Sequence, residues 1–569
     1  MNQPADPLGQ SFRAQLARVT GGLAPEDYAQ AFGEWWARLA RNPARQAELA
    51  ASGARRLLEF WSFALHAAGG APAAPPAASA AFADAAWHQW PFNVLAHAHD
   101  QFSAWARESL CKPGEIPPDA VQRLEFALRQ ALEASSPAHY LITNPELLRA
   151  TAEDSGANLA RGLEHWLEDA QRRIAGRPPA GTEAFRVGET VAITPGKVVM
   201  RNELIELIQY APTTPTVHAE PILIVPAWIM KYYIHDLSPH NSLVRYLVGQ
   251  GHTVFMISWR NPTPADRALG MDDYVHLGLE AALDAVSAIR PGHGVHLAGY
   301  CIGGTLLAIA AARLAARGDA RLASMTLLAG QTDFSEPGEL SLFITPAQLA
   351  MLEAIMQEDG VLASERMGAA FALLRSSDLV WAPAIRTYLR GKRDAMIDLM
   401  AWNADGTRMP ARMHSEYLAR LYLRNELARG EFTVGGERID LGALRLPMFV
   451  VGTETDHVAP WRSVYKVARL ARSADYSFLL TSGGHNAGIV SGAQNPKRRY
   501  RLRRWTDPAA TPMPEEFLQA APQPGSWWPA WQEWLAARSS GQLSAPAVAG
   551  NAAAGYPDGE DAPGRYVRD

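Results

Sequence analysis

The chain has 569 residues, of which 48% are hydrophobic, so it can bury a large core and hold more than one folding unit. Its formal net charge of −5 argues against a nucleic-acid-binding protein, which would carry a strongly basic surface. Its two cysteines are Cys111 and Cys301, and so small a number argues against a disulfide framework and for a reducing compartment.

Helical patterns rich in Ala, Leu, Trp and Arg dominate residues 1–185, which we predict to be a helical N-terminal domain. A low-complexity stretch at about 67–83 predicts a linker within it. The sequence does not begin with a basic segment followed by an apolar run, so we predict no signal peptide. It also lacks an uncharged apolar stretch of about 18 residues, so we predict no membrane span. We therefore expect a cytoplasmic protein.

Two features of the N-terminal region invite a binding function. His97, His99 and Asp100 cluster as metal ligands do, but further spaced ligands are lacking, so we interpret them as helix surface and predict no metal site. Five tryptophans either contact polymer or pack between helices, and packing is the usual fate of such residues. They are Trp35, Trp36, Trp61, Trp87 and Trp90.

From residue 186 onward the pattern changes to short apolar strands that alternate with helical segments. Such alternation predicts an α/β protein with a mainly parallel sheet covered on both faces. An interruption at 332–430 predicts an inserted cap, which divides the sheet domain into 186–331 and 431–537, and the small residues of 538–569 predict a disordered tail. The predicted strands are Ile222–Val225, Thr253–Ser258, Val295–Gly299, Met325–Ala329, Met448–Val451 and Ser477–Leu480.

The segment Gly299–Gly303 reads Gly-Tyr-Cys-Ile-Gly, which places Cys301 where a G-x-S-x-G nucleophile elbow carries its serine. An elbow is a sharp turn between a buried strand and a helix, and its glycines stand where side chains would collide. The flanks fit, because an apolar strand precedes Cys301 and a helical pattern follows it. An inert cysteine in a tight turn is the alternative, so the interpretation depends on partners downstream.

Two candidate partners follow Cys301 in the order nucleophile, acid, base that α/β hydrolases use. Asp456 comes directly after an apolar strand, and His485 lies on a glycine-flanked loop after the next strand. The three residues predict a catalytic triad on an α/β-hydrolase fold with an inserted cap. Asp333 is a rival acid and His457 a rival base. We prefer Asp456 to Asp333 as the acid. We prefer His485 to His457 as the base, since His457 adjoins Asp456 and adjacent side chains on an extended loop tend to point apart.

A cysteine in place of a serine indicates acyl transfer. A thiolate that attacks a thioester forms another thioester, so the acyl group stays activated for a further acceptor, whereas serine would form a more stable oxyester. His485 would stabilise the Cys301 thiolate by ion pairing, and Asp456 would fix the imidazole tautomer.

Strings along most of the chain resemble the polyhydroxyalkanoate synthases, specifically the single-subunit type called class I. Together they are far more specific than the elbow alone. They are Pro91–Leu95, Asn144–Glu153, Val225–Leu237, Gly251–Pro262, Gly299–Thr305, Trp402–Arg408, Met413–Leu418, Asp456–Trp461 and Gly484–His485.

The resemblance implies roles for individual residues. Cys301 would hold the growing chain as the nucleophile, and His485 would be its general base. Asp456 would be the acid, and it would either orient His485 or help to activate the 3-hydroxyl of the incoming hydroxyacyl-CoA. Two backbone N–H groups would form the oxyanion hole, those of Ile302 and Ile229.

The resemblance also implies a reaction: (R)-3-hydroxyacyl-CoA, with 3-hydroxybutyryl-CoA favoured, is polymerised to a polyester as CoA is released. It implies no cofactor, a homodimer without a different subunit, and a cytoplasmic location on polymer granules with granule-associated proteins. The basic cluster Lys497–Arg504 either meets CoA phosphates or is a solvated face. A thioesterase or polyester depolymerase is the enzymatic alternative, and a granule-bound structural paralogue is the non-enzymatic one.

Overall fold

The computed structural model describes residues 14–15, 18, 24–69, 79–110 and 116–569. Cys111 and most of the predicted linker lie outside the described residues. The chain forms two compact units. One contains Gly181–Met367 and Met396–Asp569, and the other contains the described residues of Leu16–Ala180 together with Gly368–Ala395.

A ten-stranded sheet forms the centre of the first unit, in the order β1-β2-β5-β4-β6-β7-β12-β13-β14-β15. The six strands from β5 to β13 run parallel, whereas β2 pairs antiparallel with β5 and β14 antiparallel with β13. The strands are β1 Gly196–Arg201, β2 Ile205–Tyr210, β3 Thr216–His218, β4 Ile222–Val225, β5 Val254–Trp259, β6 Val295–Tyr300, β7 Leu322–Leu328, β8 Val361–Leu362, β9 Met409–Pro410, β10 Thr433–Val434, β11 Glu437–Arg438, β12 Met448–Thr453, β13 Tyr476–Thr481, β14 Arg499–Trp505, β15 Gln523–Pro524 and β16 Gln542–Ser544.

The six predicted strands correspond to β4, β5, β6, β7, β12 and β13, and the predicted α/β architecture with a mainly parallel sheet is confirmed. Each of β4, β5, β6, β12 and β13 is buried along its whole length, as expected for parallel strands covered on both faces. The main helices of this unit are Leu243–Gly249, Ala281–Ile289, Ile302–Ala316, Pro346–Asp359, Asp398–Asn403, Ala411–Glu416, Trp461–Tyr465, His485–Ile489 and Trp528–Ala536.

The second unit is built from amphipathic helices. Proline occupies the first turn of several of them, and the side chains of Asn42 and Asn144 cap two N-termini by accepting backbone N–H bonds. None of the described helices is long and apolar enough to cross a membrane. The helices are Pro25–Ala40, Pro43–Ala68, Phe92–Ser109, Pro118–Ala134, Pro145–Glu153 and Ala157–Ile174, and Ser364–Leu374 spans the boundary between the two units.

The prediction that His97 lies on a helix surface is wrong. Its side chain is 1% exposed and packs against the rings of Phe63, at 4.5 Å, and Phe60, at 6.2 Å. His99 instead reaches the carbonyl oxygen of Leu132 with Nε2, at 3.1 Å. The described part of the chain contains no group of three or more His, Cys, Asp or Glu side chains arranged to hold a metal ion.

The segment 332–430, predicted as one cap, is divided between the two units. Residues 368–395 pack with the helical unit, where Tyr388 and Arg393 both donate to the carboxylate of Asp169. Arg390 forms an ion pair with Glu146 at 3.0 Å. The remainder of the segment belongs to the sheet unit, so the insertion contributes to both units.

The prediction of a disordered tail at 538–569 is also wrong. Strand β16 pairs antiparallel with β3. The fully buried carboxylate of Glu206 accepts hydrogen bonds from the backbone N–H groups of Arg565 and Tyr566, each at 3.0 Å, and Val567 is 2% exposed. Main-chain donors order the tail, and a composition rich in small residues does not reveal them.

Candidate active site

Cys301 occupies a strained turn between β6 and the helix Ile302–Ala316. Its backbone angles are φ +54° and ψ −125°, a region that residues other than glycine rarely adopt. Its amide donates to the carbonyl oxygen of Leu328 at 2.9 Å, which ties the turn to the neighbouring strand β7. The turn is therefore held in the geometry of a nucleophile elbow.

The glycines of the elbow are required by close backbone contacts. A Cβ atom on Gly303 would lie 2.4 Å from the carbonyl oxygen of Val225 and 2.5 Å from that of Pro226. A Cβ atom on Gly299 would lie 2.6 Å from the Cα atom of Gly304. The helix after Cys301 thus packs directly against the ends of β4 and β6, where no side chain fits.

The predicted acid and base meet at the carboxyl ends of two adjacent parallel strands. Asp456 follows β12, and His485 follows β13 and begins the helix His485–Ile489. Nδ1 of His485 lies 2.8 Å from Oδ2 of Asp456, and Cys301 is near enough for its charge to raise the pKa of the His485 imidazole. The structure therefore brings together the three side chains that the sequence predicted as a triad.

Asp456 is held in place by four hydrogen bonds. Oδ1 accepts from the amides of Val458, at 2.9 Å, and Ala459, at 2.8 Å. Oδ2 accepts from the hydroxyl of Thr453 at 2.8 Å as well as facing His485. The carboxylate is fully buried, so both of its oxygens are committed to these partners.

The electrostatics favour a charged imidazole beside charged partners. Burial opposes the imidazolium, but negative charge on Asp456 and Cys301, together with the hydrogen bond to Asp456, raises the pKa of His485 well above its ordinary value. Burial alone would raise the pKa of Asp456, yet the positive charge of His485 and the hydrogen bonds hold it below its ordinary value. The geometry thus suits a thiolate, an imidazolium and a carboxylate in series.

The rival acid has other partners. Asp333 Oδ1 accepts from the amide and hydroxyl of Ser335, at 2.8 and 2.6 Å, and from the side-chain amide of Asn425 at 2.9 Å. The imidazole that Asp456 binds is that of His485. The structure therefore places Asp333 in a network that joins two loops.

The two backbone groups predicted for the oxyanion hole lie on opposite sides of the elbow in sequence. Ile302 is the first residue of the helix after Cys301, where N–H groups have no intrahelical acceptor. The loop of Ile229 is fixed by Thr407, whose amide donates to the Ile229 carbonyl oxygen at 3.2 Å and whose hydroxyl donates to that of Trp228. Their role in stabilising an oxyanion stays a prediction.

Aromatic residues to which the sequence analysis assigned no role lie near the thiol. The rings of Tyr417 and Tyr422 pack edge-on with centroids 5.4 Å apart, and burial raises the pKa of both hydroxyls, with a further contribution from the charge of Cys301. The Phe334 ring packs on Tyr422 at 4.7 Å. Since these tyrosines come from the 332–430 segment, no motif near Cys301 signals them.

The basic cluster of β14 is largely engaged in ion pairs. Arg499 and Arg501 both bind Glu454, and Arg504 binds Asp475. Arg498 donates to main-chain carbonyl oxygens on both sides of His485. A contact with CoA phosphates stays a prediction, while the structure assigns most of the cluster to surface pairing and loop support.

Three family models match the sequence. One described as the poly-beta-hydroxybutyrate polymerase (PhaC) N-terminus matches residues 78–247, and one described as the poly-beta-hydroxybutyrate polymerase N terminal matches residues 3–45. A model described as alpha/beta hydrolase fold matches residues 220–491, which contain Cys301, Asp456 and His485.

Curated relatives extend the similarity over most of the chain. A poly(3-hydroxyalkanoate) polymerase of Methylorubrum extorquens is 42% identical and covers 87% of this chain and 81% of its own. The poly(3-hydroxyalkanoate) polymerase subunit PhaC of Cupriavidus necator is 38% identical, with 88% and 85% covered. That of Rhizobium meliloti is 35% identical, with 100% and 94% covered.

Proposed function

The chain belongs to the poly(3-hydroxyalkanoate) polymerase family, and we propose that it polymerises (R)-3-hydroxyacyl-CoA by covalent thioester catalysis on Cys301. The observation that carries this proposal is the cysteine on a strained elbow close to His485, whose imidazole is hydrogen-bonded to the buried Asp456. 3-Hydroxybutyryl-CoA is the proposed preferred monomer, on the resemblance to class I enzymes.

In the loading step, the acyl group passes from CoA to Cys301, and one proton passes from the Cys301 thiol to CoA by way of His485. His485 takes the proton of the Cys301 thiol, and the thiolate attacks the thioester carbonyl carbon of the acyl-CoA. The tetrahedral oxyanion is stabilised by the backbone N–H groups of Ile302 and Ile229. When the intermediate collapses, the bond to the CoA sulfur breaks, and His485 returns the proton to the departing CoA thiolate. The acyl group then stands on Cys301 as a thioester.

Extension repeats the exchange with a hydroxyl as the nucleophile. The 3-hydroxyl of one acyl unit gives its proton to His485 and attacks the carbonyl carbon of a thioester, which forms the ester link and releases a thiolate. Two roles for Asp456 were open at the level of sequence. Its burial and its four hydrogen bonds support the orienting role, because neither carboxylate oxygen is left to bind a substrate hydroxyl.

No resident cofactor is needed for these steps, because the acyl thioester arrives activated and each exchange moves only a proton and an acyl group. Hydrolysis of the same thioester is downhill, so water must be kept from Cys301. The buried residues Phe334 and Tyr417 pack against each other and against the partly buried Tyr422, and this aromatic cluster near Cys301 supports the requirement.

Granule association and homodimerisation are further parts of the proposal, with the cytoplasm as the location. Several large apolar side chains of the helical unit are more than half exposed. Contiguous exposed apolar surface is typical of interaction sites. A polymer surface, its associated proteins or a second copy of the chain would cover them. Examples are Trp36 (58% exposed), Leu58 (72%), Trp61 (56%) and Leu65 (73%).

The test compares two products in one reaction. Purified protein is mixed with (R)-3-hydroxybutyryl-CoA, and CoA release and polyester are both quantified. We expect matching amounts of CoA and polymerised units, with both lost in Cys301→Ala. CoA with free hydroxy acid would indicate the thioesterase or depolymerase alternative. A Cys301→Ala variant that retains its cellular effect would indicate the structural paralogue.

A further inference from the structure

A hydrogen bond joins the residue before the nucleophile to the residue after the base. Tyr300 precedes Cys301 at the end of β6, and Asn486 follows His485 in the helix His485–Ile489. The Tyr300 hydroxyl donates to Oδ1 of Asn486 at 2.6 Å. Tyr300 is 2% exposed, so this phenol has no access to water as an alternative acceptor.

The tyrosine is also packed against the base itself. Its ring centroid lies 5.5 Å from that of His485, and the His235 ring packs edge-on against the same tyrosine with centroids 5.1 Å apart. Burial and the charges of Cys301 and Asp456 raise the pKa of Tyr300 well above its ordinary value. The hydroxyl therefore stays a hydrogen-bond donor over the working pH range.

Other contacts hold the base loop by its main chain. The Arg498 guanidinium donates to the carbonyl oxygens of Ser482, at 3.3 Å, and Ala487, at 2.6 Å. The indole N–H of Trp527 donates to the carbonyl oxygen of Gly488 at 3.1 Å. These bonds fix the loop to chain segments that follow it, whereas the Tyr300 hydroxyl fixes it to the strand that carries the nucleophile.

We propose that Tyr300 and Asn486 are positioning residues whose side-chain hydrogen bond sets the approach of the His485 imidazole to the Cys301 thiol. The inference rests on the proposed function, in which these two neighbours are base and nucleophile. A displacement of about 1 Å between reacting groups can cost about a hundredfold in rate. A bond that locks the elbow to the first turn of the base helix prevents such a displacement without touching the substrate.

The experiment uses Tyr300→Phe, Asn486→Ala and the double variant, all in a Cys111→Ser background so that Cys301 is the single thiol of the chain. Two rates are measured: CoA release from (R)-3-hydroxybutyryl-CoA, and alkylation of Cys301 by iodoacetamide between about pH 6 and 9. The matched control is Tyr465→Phe, because Tyr465 is 1% exposed and donates one hydrogen bond, to the carbonyl oxygen of Pro512 at 2.8 Å.

We expect each single variant to lower kcat by about tenfold, with KM within about twofold, because alignment of the base is lost while substrate contacts remain. Alkylation at neutral pH should slow in parallel. The double variant should be no slower than the slower single variant, since both changes remove one bond. Tyr465→Phe should keep the parent kcat.

Three results would overturn the inference: Tyr300→Phe with the kcat and alkylation profile of Tyr465→Phe, losses that multiply in the double variant, or a rise in KM at constant kcat. If Tyr300→Phe does not fold, as judged by thermal unfolding, the half-buried Asn486→Ala carries the same test. Failure of the proposed function is distinguishable, because the parent protein itself would then release no CoA or form no polymer.

Discussion

At the scale of single residues, burial and hydrogen bonding restrict the roles open to each member of the proposed triad. The carboxylate of Asp456 is fully buried and accepts four hydrogen bonds, which suits the proposed role of orienting His485 and stabilising its charge. His485 faces the thiol of Cys301 on one side and this carboxylate on the other. The chemistry then depends on the position of one imidazole ring.

Replacing the acid tests its role directly. We expect Asp456→Asn to lower the rate of CoA release by roughly 10²–10⁴-fold, because the imidazole loses both its fixed tautomer and the charge that stabilises its protonated form. The matched control is Asp333→Asn, which changes the rival acid and should stay within about threefold of wild type. A comparable loss in both variants would contradict the assignment of Asp456.

The direction of the His485 shift predicts a pH dependence of stability. A histidine whose pKa is higher folded than unfolded stabilises the fold fully below its unfolded pKa, and this contribution is lost as the pH rises through the folded pKa. We therefore expect the difference in Tm between wild type and His485→Gln to shrink as the pH is raised above about 6.5. Thermal unfolding at a series of pH values measures it, and a difference that grows with pH would refute the ion pair.

At the scale of elements, the site is an assembly of strand ends. The elbow, the acid loop and the base loop follow β6, β12 and β13, whose carboxyl ends meet at one edge of the parallel sheet. The close contact of the elbow helix with β4 explains why glycine is required at position 303.

A methyl group at position 303 should destabilise the fold. We expect Gly303→Ala to lower the free energy of unfolding by about 3 kcal/mol, since its Cβ would meet backbone atoms that cannot move aside. Gly249→Ala is the matched control, because nothing lies within 4 Å of the Cβ it would add, and it should change stability by less than about 1 kcal/mol. Chemical denaturation compares them, and equal stabilities would contradict the packing argument.

The elements that sequence reasoning identified are those with local signals. Apolar runs marked the six parallel strands, and the order of Cys301, Asp456 and His485 marked the loops after three of them. The sequence analysis assigned no role to Tyr300 or Asn486. Their hydrogen bond joins residues 186 positions apart, and no local pattern encodes such a contact. Tyr422 was missed for the same reason, as it comes from the inserted segment.

At the scale of the whole molecule, distant parts of the chain complete each unit. The insertion supplies 368–395 to the helical unit, and the C-terminal residues supply backbone donors to Glu206 on β2. The tail was predicted to be disordered because its composition is poor in large apolar residues. Its order comes from backbone hydrogen bonds to a buried carboxylate, which composition does not report.

Removing the tail should therefore leave the buried carboxylate of Glu206 with fewer hydrogen-bond donors. We expect a chain that ends after residue 558 to lose about 2–4 kcal/mol of folding free energy, because two hydrogen bonds to the Glu206 carboxylate disappear. Arg565→Ala is the control, since it keeps the backbone N–H and loses only a surface pair with Glu560. Denaturation that shows no difference between the truncated and full chains would contradict this account.

The most direct test of the central claim is the mass of the peptide that contains Cys301, after the enzyme is mixed with (R)-3-hydroxybutyryl-CoA and quenched in acid. The account predicts a ladder of masses on this peptide, spaced by whole 3-hydroxybutyryl units and absent in Cys301→Ala. Polymer formed while Cys301 stays unmodified, or a ladder on another residue, would contradict it.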